Sequence, residues 1–301
     1  LVAGEGYPRS YFLGESKNAA TGKVVGTATF SEKSLNLGEI DNSIDPYVNK
    51  STNSVKFYGV WNIALARTNV ASSTSRNGPT GNILGYAEFY DDSVNFGDVG
   101  KDLTLYNGSS CGYEALNDED AINIGGSLIM KDSSTLGIVI RDLQPTHTLT
   151  IKIADTFTTG DSVNLSDAQI TIKNCIIEVA NNTDLYCHTT VTDSNVLCKT
   201  NNKTMSINHT SVTMDQEDLD LKRTIEYTTV NFNNSSINGA KIHPYSTYSN
   251  TTTFNNTSTN KSEDIAGTLI FNNTSINNVT RTTANTFISI TFNGGSANLA
   301  G

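Results

Sequence analysis

Apolar residues along this chain recur at intervals of two, the period of an extended strand, and seldom at the three-to-four spacing of a helix. Val55, Phe57, Gly59, Trp61, Ile63 and Leu65 alternate with polar or small partners, and Leu149, Ile151 and Ile153 do the same. The only short stretch with a helical period is Tyr113–Ala121. The pattern therefore predicts an all-β protein.

Self-comparison shows how the strands are organised. Residues 22–40, GKVVGTATFSEKSLNLGEI, align without a gap to residues 81–99, GNILGYAEFYDDSVNFGDV. Gly22/Gly81, Gly26/Gly85, Ala28/Ala87 and Phe30/Phe89 are identical, as are Ser34/Ser93, Asn36/Asn95 and Gly38/Gly97. Val24/Ile83 and Ile40/Val99 keep the β-branched type. The consensus is G-x-V-x-G-x-A-x-F-x-x-x-S-x-N-x-G-x-V.

Its second half returns as Phe232, Ser236, Asn238; as Phe254, Ser258, Asn260; as Phe271, Ser275, Asn277; and as Phe292, Ser296, Asn298. Degenerate copies place Leu105, Ser109 and Ala115, then Met130, Ser134, Ile138 and Ile140, in the same frame. The irregular gaps between copies suit a solenoid with loops inserted at its corners.

Residues two apart on a strand share a face, so Val, Ala, Phe, Ser and Asn of the consensus point one way and the intervening charged residues point the other. Phe and Val supply apolar area, at about 25 cal/mol per Å² removed from water. Ser and Asn mark corners. An amide carries both donors and an acceptor, so copies about 4.8 Å apart on adjacent coils can bond one another instead of being buried unpaired. Asn77-Gly78, Asn107-Gly108, Asn238-Gly239 and Asn293-Gly294 are turn dipeptides.

Composition sharpens this picture. Asparagine occurs 36 times in 301 residues, half of them after position 200, yet Val, Ile and Phe still punctuate that tract. A repeat is indicated rather than a solvated low-complexity tail. About 15 N-x-[ST] sequons follow from the same bias, among them Asn107, Asn208, Asn233, Asn255, Asn272 and Asn278. A formal charge of −10 works against nucleic acid and anionic membranes as partners. No apolar run approaches the ~18 residues of a membrane-crossing helix, so membrane insertion is not expected. The chain starts at Leu1 and stops at Gly301 in mid-pattern, and reads as processed or excised from a longer polypeptide.

The glycine-spaced A-x-F-x-x-x-S-x-N-x-G-x-V pattern resembles repeats of phage tail-fibre and virion appendage proteins and of large bacterial surface proteins, which are similar to parallel β-solenoids. The resemblance is close over 22–40 and 81–99, partial over 228–301 and poor over 41–80 and 155–225. It implies an extended, non-catalytic rod or fibre segment on a virion or in the extracellular space, assembling with copies of itself and displaying binding surfaces, with cell-surface glycan as the expected contact; the alternatives are a polysaccharide depolymerase on a β-helix scaffold and a glycan-binding adhesin.

The expected fold is an elongated parallel β-solenoid with loop insertions, with β-sandwich modules in tandem as the alternative. A lead-in over 1–21 precedes degenerate repeats over 22–154, with an insertion at 41–80 that packs beside the coils. Divergent β coils over 155–225 lead to Asn/Thr-rich repeats over 226–301. The candidate site is the repeat core itself: Phe30, Ser34, Asn36, Phe89, Ser93, Asn95, Phe232, Ser236, Asn238, Phe271, Ser275, Asn277, Phe292, Ser296 and Asn298.

Gly108-Ser109-Ser110-Cys111-Gly112 satisfies G-x-S-x-G, but Ser109 falls in the repeat frame and lacks the strand–turn–helix context of a nucleophile elbow. Gly4-Glu5-Gly6 has no βαβ context for a nucleotide loop. Cys187, His188, Cys198 and His209 lack the spacing of a zinc site and read as buried thiols and surface histidines, and the four cysteines, with Cys111 and Cys175, leave the redox compartment open. Acidic clusters at Asp91-Asp92, Asp118-Glu119-Asp120 and Asp215 to Asp220 invite calcium or, on a β-helix face, polysaccharide cleavage, but match no calcium loop. Tyr86, Phe89, Tyr90 and Phe96 suggest a sugar-binding strip, with core packing as the plainer reading. No cofactor signature is present.

Overall fold

The computed structural model describes residues 9–32, 34–42, 55–58, 75–106, 108–112, 121–131, 134–137, 149–160, 169–173, 175–186, 188–192, 194–198, 200, 202–208, 211–215, 224–234, 236–239, 241–243, 250–262, 265–278 and 287–299. Every element among them is a strand, turn or bend, and none is a helix. The chain divides into two units, Leu1–Leu149 and Thr150–Gly301.

In the first unit each coil gives one short strand to each of three parallel sheets. The first sheet runs Arg9–Phe12, Thr27–Ser31, Val55–Tyr58, Ala87–Tyr90, Leu103–Leu105, Leu128–Met130. The second runs Lys17–Asn18, Leu35–Asn36, Arg76–Asn77, Val94–Asn95, Ser110–Cys111, Thr135–Gly137. The third runs Lys23–Val25, Glu39–Asp41, Asn82–Ile83, Asp98–Val99, Ile122–Ile124.

The second unit repeats the arrangement. Its first sheet runs from Phe157–Thr159 through Thr183–Leu185, Thr204–Ile207, Thr229–Phe232, Thr251–Phe254 and Gly267–Phe271 to Phe287–Phe292. Its second ends in Ile237–Asn238, Thr259–Asn260, Ile276–Asn277 and Ala297–Asn298. Its third includes Cys175–Val179, Asn195–Leu197, Thr224–Glu226 and Lys241–His243. Each unit is a parallel β-solenoid. The tandem-sandwich alternative is set aside, because every described strand pairing is parallel whereas sandwiches are built from antiparallel sheets.

The strands form because apolar residues at alternate positions all find the same interior. Phe30, Phe57, Phe89, Leu105 and Met130 of the first unit are fully buried, as are Met205, Val230, Phe232, Phe254 and Phe271 of the second. Burying such a side chain contributes about 1.5–3 kcal/mol, and the parallel ladders satisfy the backbone that runs beside it.

Two segments differ from the sequence expectation. Val55–Tyr58 and Arg76–Asn77, read as parts of an insertion beside the coils, lie within the first and second sheets, each between the two aligned repeats. Val55 and Phe57 have the inward spacing that such a strand requires, and both are fully buried. The lead-in likewise contributes a coil, since Arg9–Phe12 pairs with Thr27–Ser31 and Lys17–Asn18 with Leu35–Asn36. The helical candidate at Tyr113–Ala121 has only its last residue among the described ones, and Trp61, Ala115, Ile138 and Ile140 lie outside them.

Candidate functional site: the stacked repeat core

The corner after each strand of the first sheet is built from the sequence between Phe and Ser. The Ser93 amide donates to Tyr90 O at 3.1 Å across Asp91 and Asp92, which take φ of 49° and 59°. The Ser258 amide closes the same turn on Asn255 O at 3.3 Å, with Asn256 at φ 51°. Asn and Asp tolerate this left-handed conformation better than most residues. The Ser hydroxyl then ties the corner to the preceding coil. Ser258 Oγ donates to Phe232 O at 3.1 Å, Ser93 Oγ to Phe57 O at 3.2 Å and Ser296 Oγ to Phe271 O at 3.1 Å. Ser236 Oγ reaches Ile207 O at 3.0 Å and also Asn233 O. Ser34 and Ser275 sit fully buried at equivalent corners.

Two residues after the serine, the inward Asn forms a ladder. In the first unit Asn18 Nδ2 donates to Asn36 Oδ1 at 2.7 Å, Asn36 to Asn77 at 2.7 Å and Asn77 to Asn95 at 2.8 Å. Asn95 Nδ2 then meets Cys111 Sγ at 3.5 Å, because cysteine occupies the asparagine position of the next coil. In the second unit Asn238 donates to Asn260 at 3.1 Å, Asn260 to Asn277 at 2.9 Å and Asn277 to Asn298 at 3.0 Å. The second Nδ2 hydrogen is used locally, as in Asn95 to Gly97 O at 2.9 Å and Asn36 to Gly38 O at 3.1 Å. Within each column a buried amide thus donates to a chemically identical neighbour, except at Asn95, whose next partner is the Cys111 thiol.

The glycine two residues further on follows from the same stacking. A Cβ on Gly97 would run into the carbonyl oxygen of Gly81, and one on Gly38 into that of Gly22. Only a residue without a side chain lets the amide column and the next backbone turn approach this closely.

The phenylalanines form the third column. Ring centroids are 4.4 Å apart for Phe12–Phe30, 4.7 Å for Phe30–Phe57 and 4.3 Å for Phe57–Phe89. Phe232–Phe254 and Phe254–Phe271 are 4.8 Å apart and Phe271–Phe292 4.9 Å, all within 13° of parallel. These separations are close to the spacing of adjacent strands, so the rings stack because register leaves each one directly over its predecessor. Phe292 is 39% exposed and Asn298 is exposed.

Sequence reasoning missed two outward columns at the corner. In the first unit Tyr58, Tyr90 and Tyr106 stack at 5.0 and 4.6 Å. Tyr90 Oη donates to Glu88 Oε2 at 3.0 Å, and Lys56 Nζ lies 3.3 Å from the same oxygen. Burial, followed by the charge of Glu88, pushes the Tyr90 hydroxyl well above the usual tyrosine range. At the equivalent place in the second unit stand asparagines: Asn233 donates to Asn208 at 3.0 Å, Asn255 to Asn233 at 2.9 Å, Asn272 to Asn255 at 2.9 Å and Asn293 to Asn272 at 3.0 Å. This outer ladder donates toward earlier coils, opposite in direction to the inner one. Its signal in the sequence is F-N-[NG]-x-S, where the residue after the core phenylalanine is always Asn in the last four copies.

The sharper candidates resolve as follows. Ser109 is a fully buried corner serine whose amide donates to Tyr106 O at 2.9 Å, not an exposed nucleophile. Phe89 and Phe96 are buried, and both faces of the Tyr90 ring are taken by Tyr58 and Tyr106, so these aromatics offer no stacking face to a sugar. Lys101 Nζ lies 5.0 Å over the Tyr86 ring. Cys111, Cys175 and Cys198 are buried, and burial pushes the Cys111 thiol up to about 12. Among the described residues no three His, Cys, Asp or Glu side chains converge as a metal site. Asp91 and Asp92 form a corner in which burial, then the neighbouring Asp91 charge, holds the Asp92 carboxyl above its ordinary value. Asp118, Glu119, Asp120, Cys187, His209, the segment 216–220, Gly4, Glu5 and Gly6 lie outside the described residues. No protein-family model, curated protein or solved structure matches this chain.

Proposed function

We propose that this chain is a non-catalytic structural protein, a rod or fibre segment of an extracellular or virion appendage that assembles with copies of itself. The observation that carries this reading is the register of the Phe and Asn columns within each unit. The side chains that the sequence repeats are engaged in holding one coil against the next, as in solenoids whose stability is a sum of neighbour interfaces. In this reading the conserved spacing of the motif is a length-building device, and contact with a glycan belongs to the outward surface.

The test is small-angle scattering and negative-stain electron microscopy of the purified chain over a range of concentrations. Elongated particles that gain mass in whole multiples of the chain are expected. A concentration-independent compact globule would overturn the reading, as would release of reducing ends from a panel of capsule and cell-wall polysaccharides.

A further inference from the structure

From Thr204–Ile207 to Phe287–Phe292 the outward face of the first sheet in the second unit is a regular array, bounded on the preceding strand by Asp184, the register partner of Ser206. One column is Thr204, Thr229, Thr251, Thr268 and Ser289, each the register partner of the next. The adjoining column, two residues along each strand, is Ser206, Asn231, Thr253, Ile270 and Thr291. The outer asparagine ladder from Asn208 to Asn293 is the third column. None of these residues is charged, although the chain carries a formal charge of −10. The equivalent face of the first unit differs, with Lys56, Glu88 and the tyrosine stack in the matching places.

We infer that this array binds ice, as a lattice of uncharged hydroxyl and amide groups matched to an ordered plane of water. Backbone geometry fixes its repeat at about 4.8 Å across strands and about 6.6–6.8 Å along them. Only a partner that itself repeats in two dimensions at comparable intervals engages all rows at once, and the oxygen lattice of ice does so. Threonine suits the task because its branched side chain has few rotamers to lose and offers a hydroxyl beside a methyl. The absent charges matter equally, since an ionised side chain holds a hydration shell that does not fit the lattice. A crystalline polysaccharide also repeats, but its sugar rings call for aromatic platforms, and this array has none. Between two copies of the chain, the face offers only Ile270 and threonine methyls as apolar area.

The test is partition of the full chain into a slowly advancing ice front, with crystal habit viewed under a microscope. Wild type should concentrate in the ice fraction and produce faceted crystals. Thr229→Lys and Thr251→Lys should be excluded from ice, while Thr29→Lys on the first unit should partition as wild type. Exclusion of wild type from ice overturns the inference whatever the variants do. So does retention on microcrystalline cellulose or chitin without ice affinity, a Thr251→Lys variant indistinguishable from wild type, or a Thr251→Lys effect confined to sedimentation mass. Because particle length and self-assembly are read separately by scattering, failure here leaves the structural role standing.

Discussion

The ring of Phe57 lies between those of Phe30 and Phe89, 4.3 Å from Phe89 and 2° from parallel to it. The two repeats that match best in sequence are therefore not neighbours; a coil with weaker resemblance separates them. Replacing Phe57 with Ala removes a fully buried ring from the middle of a stack, and is expected to destabilise the first unit by about 3–5 kcal/mol. Phe57→Leu should cost much less, because Leu105 already fills the same column one coil beyond Phe89. Denaturant unfolding of the two variants measures both.

Asn77 occupies the centre of the inner ladder, accepting from Asn36 and donating to Asn95. Asn77→Ala leaves the Asn36 donor and the Asn95 acceptor buried without that partner, a loss of about 1–3 kcal/mol for each. A midpoint unchanged by Asn77→Ala would show that the amide column contributes nothing.

Cys111 supplies a pH test. Burial holds its thiol protonated in the folded chain up to about 12, against an ordinary value of 9.0. The unfolded chain loses this proton first as pH rises, so the contribution of Cys111 to stability is fully present below pH 9.0 and declines between there and about 12. A Cys111→Ser variant should show a shallower alkaline loss. Correspondingly, alkylation of Cys111 should be slow in the native protein and fast in denaturant, because the thiolate is the nucleophile. Rapid native labelling would contradict the burial of that coil.

Strand period, inward Phe and Ser, and the Asn spacing were legible in the sequence because each stays within one short stretch between corners. Val55–Tyr58 was not recognised as a coil because its corner residues come late: Ser75 and Asn77 play the parts of Ser34 and Asn36 only after the intervening segment 59–74. Self-comparison by fixed offset fails when one corner is lengthened. The middle coils were faint for another reason, since Leu105 and Met130 replace phenylalanine while Cys111 and Leu136 replace asparagine. The outward columns depend on which residues meet across coils, which the sequence reveals only once each coil's length is known. Thr229 and Thr251 are adjacent in space at a separation of 22 residues, Thr251 and Thr268 at 17.

The most direct test of register is disulfide formation between engineered outward cysteines of the first sheet. Lys56 and Glu88 are register partners, about 4.8 Å apart as neighbouring strands and within the Cα range that a disulfide spans. Thr29 and Glu88 lie two strands apart, at about twice that distance and beyond reach. Lys56→Cys/Glu88→Cys is expected to oxidise readily in the folded chain and Thr29→Cys/Glu88→Cys to remain reduced. Efficient bridging of the Thr29/Glu88 pair with none for Lys56/Glu88 would mean that Phe30 stacks directly on Phe89, and the coil-by-coil register would be wrong.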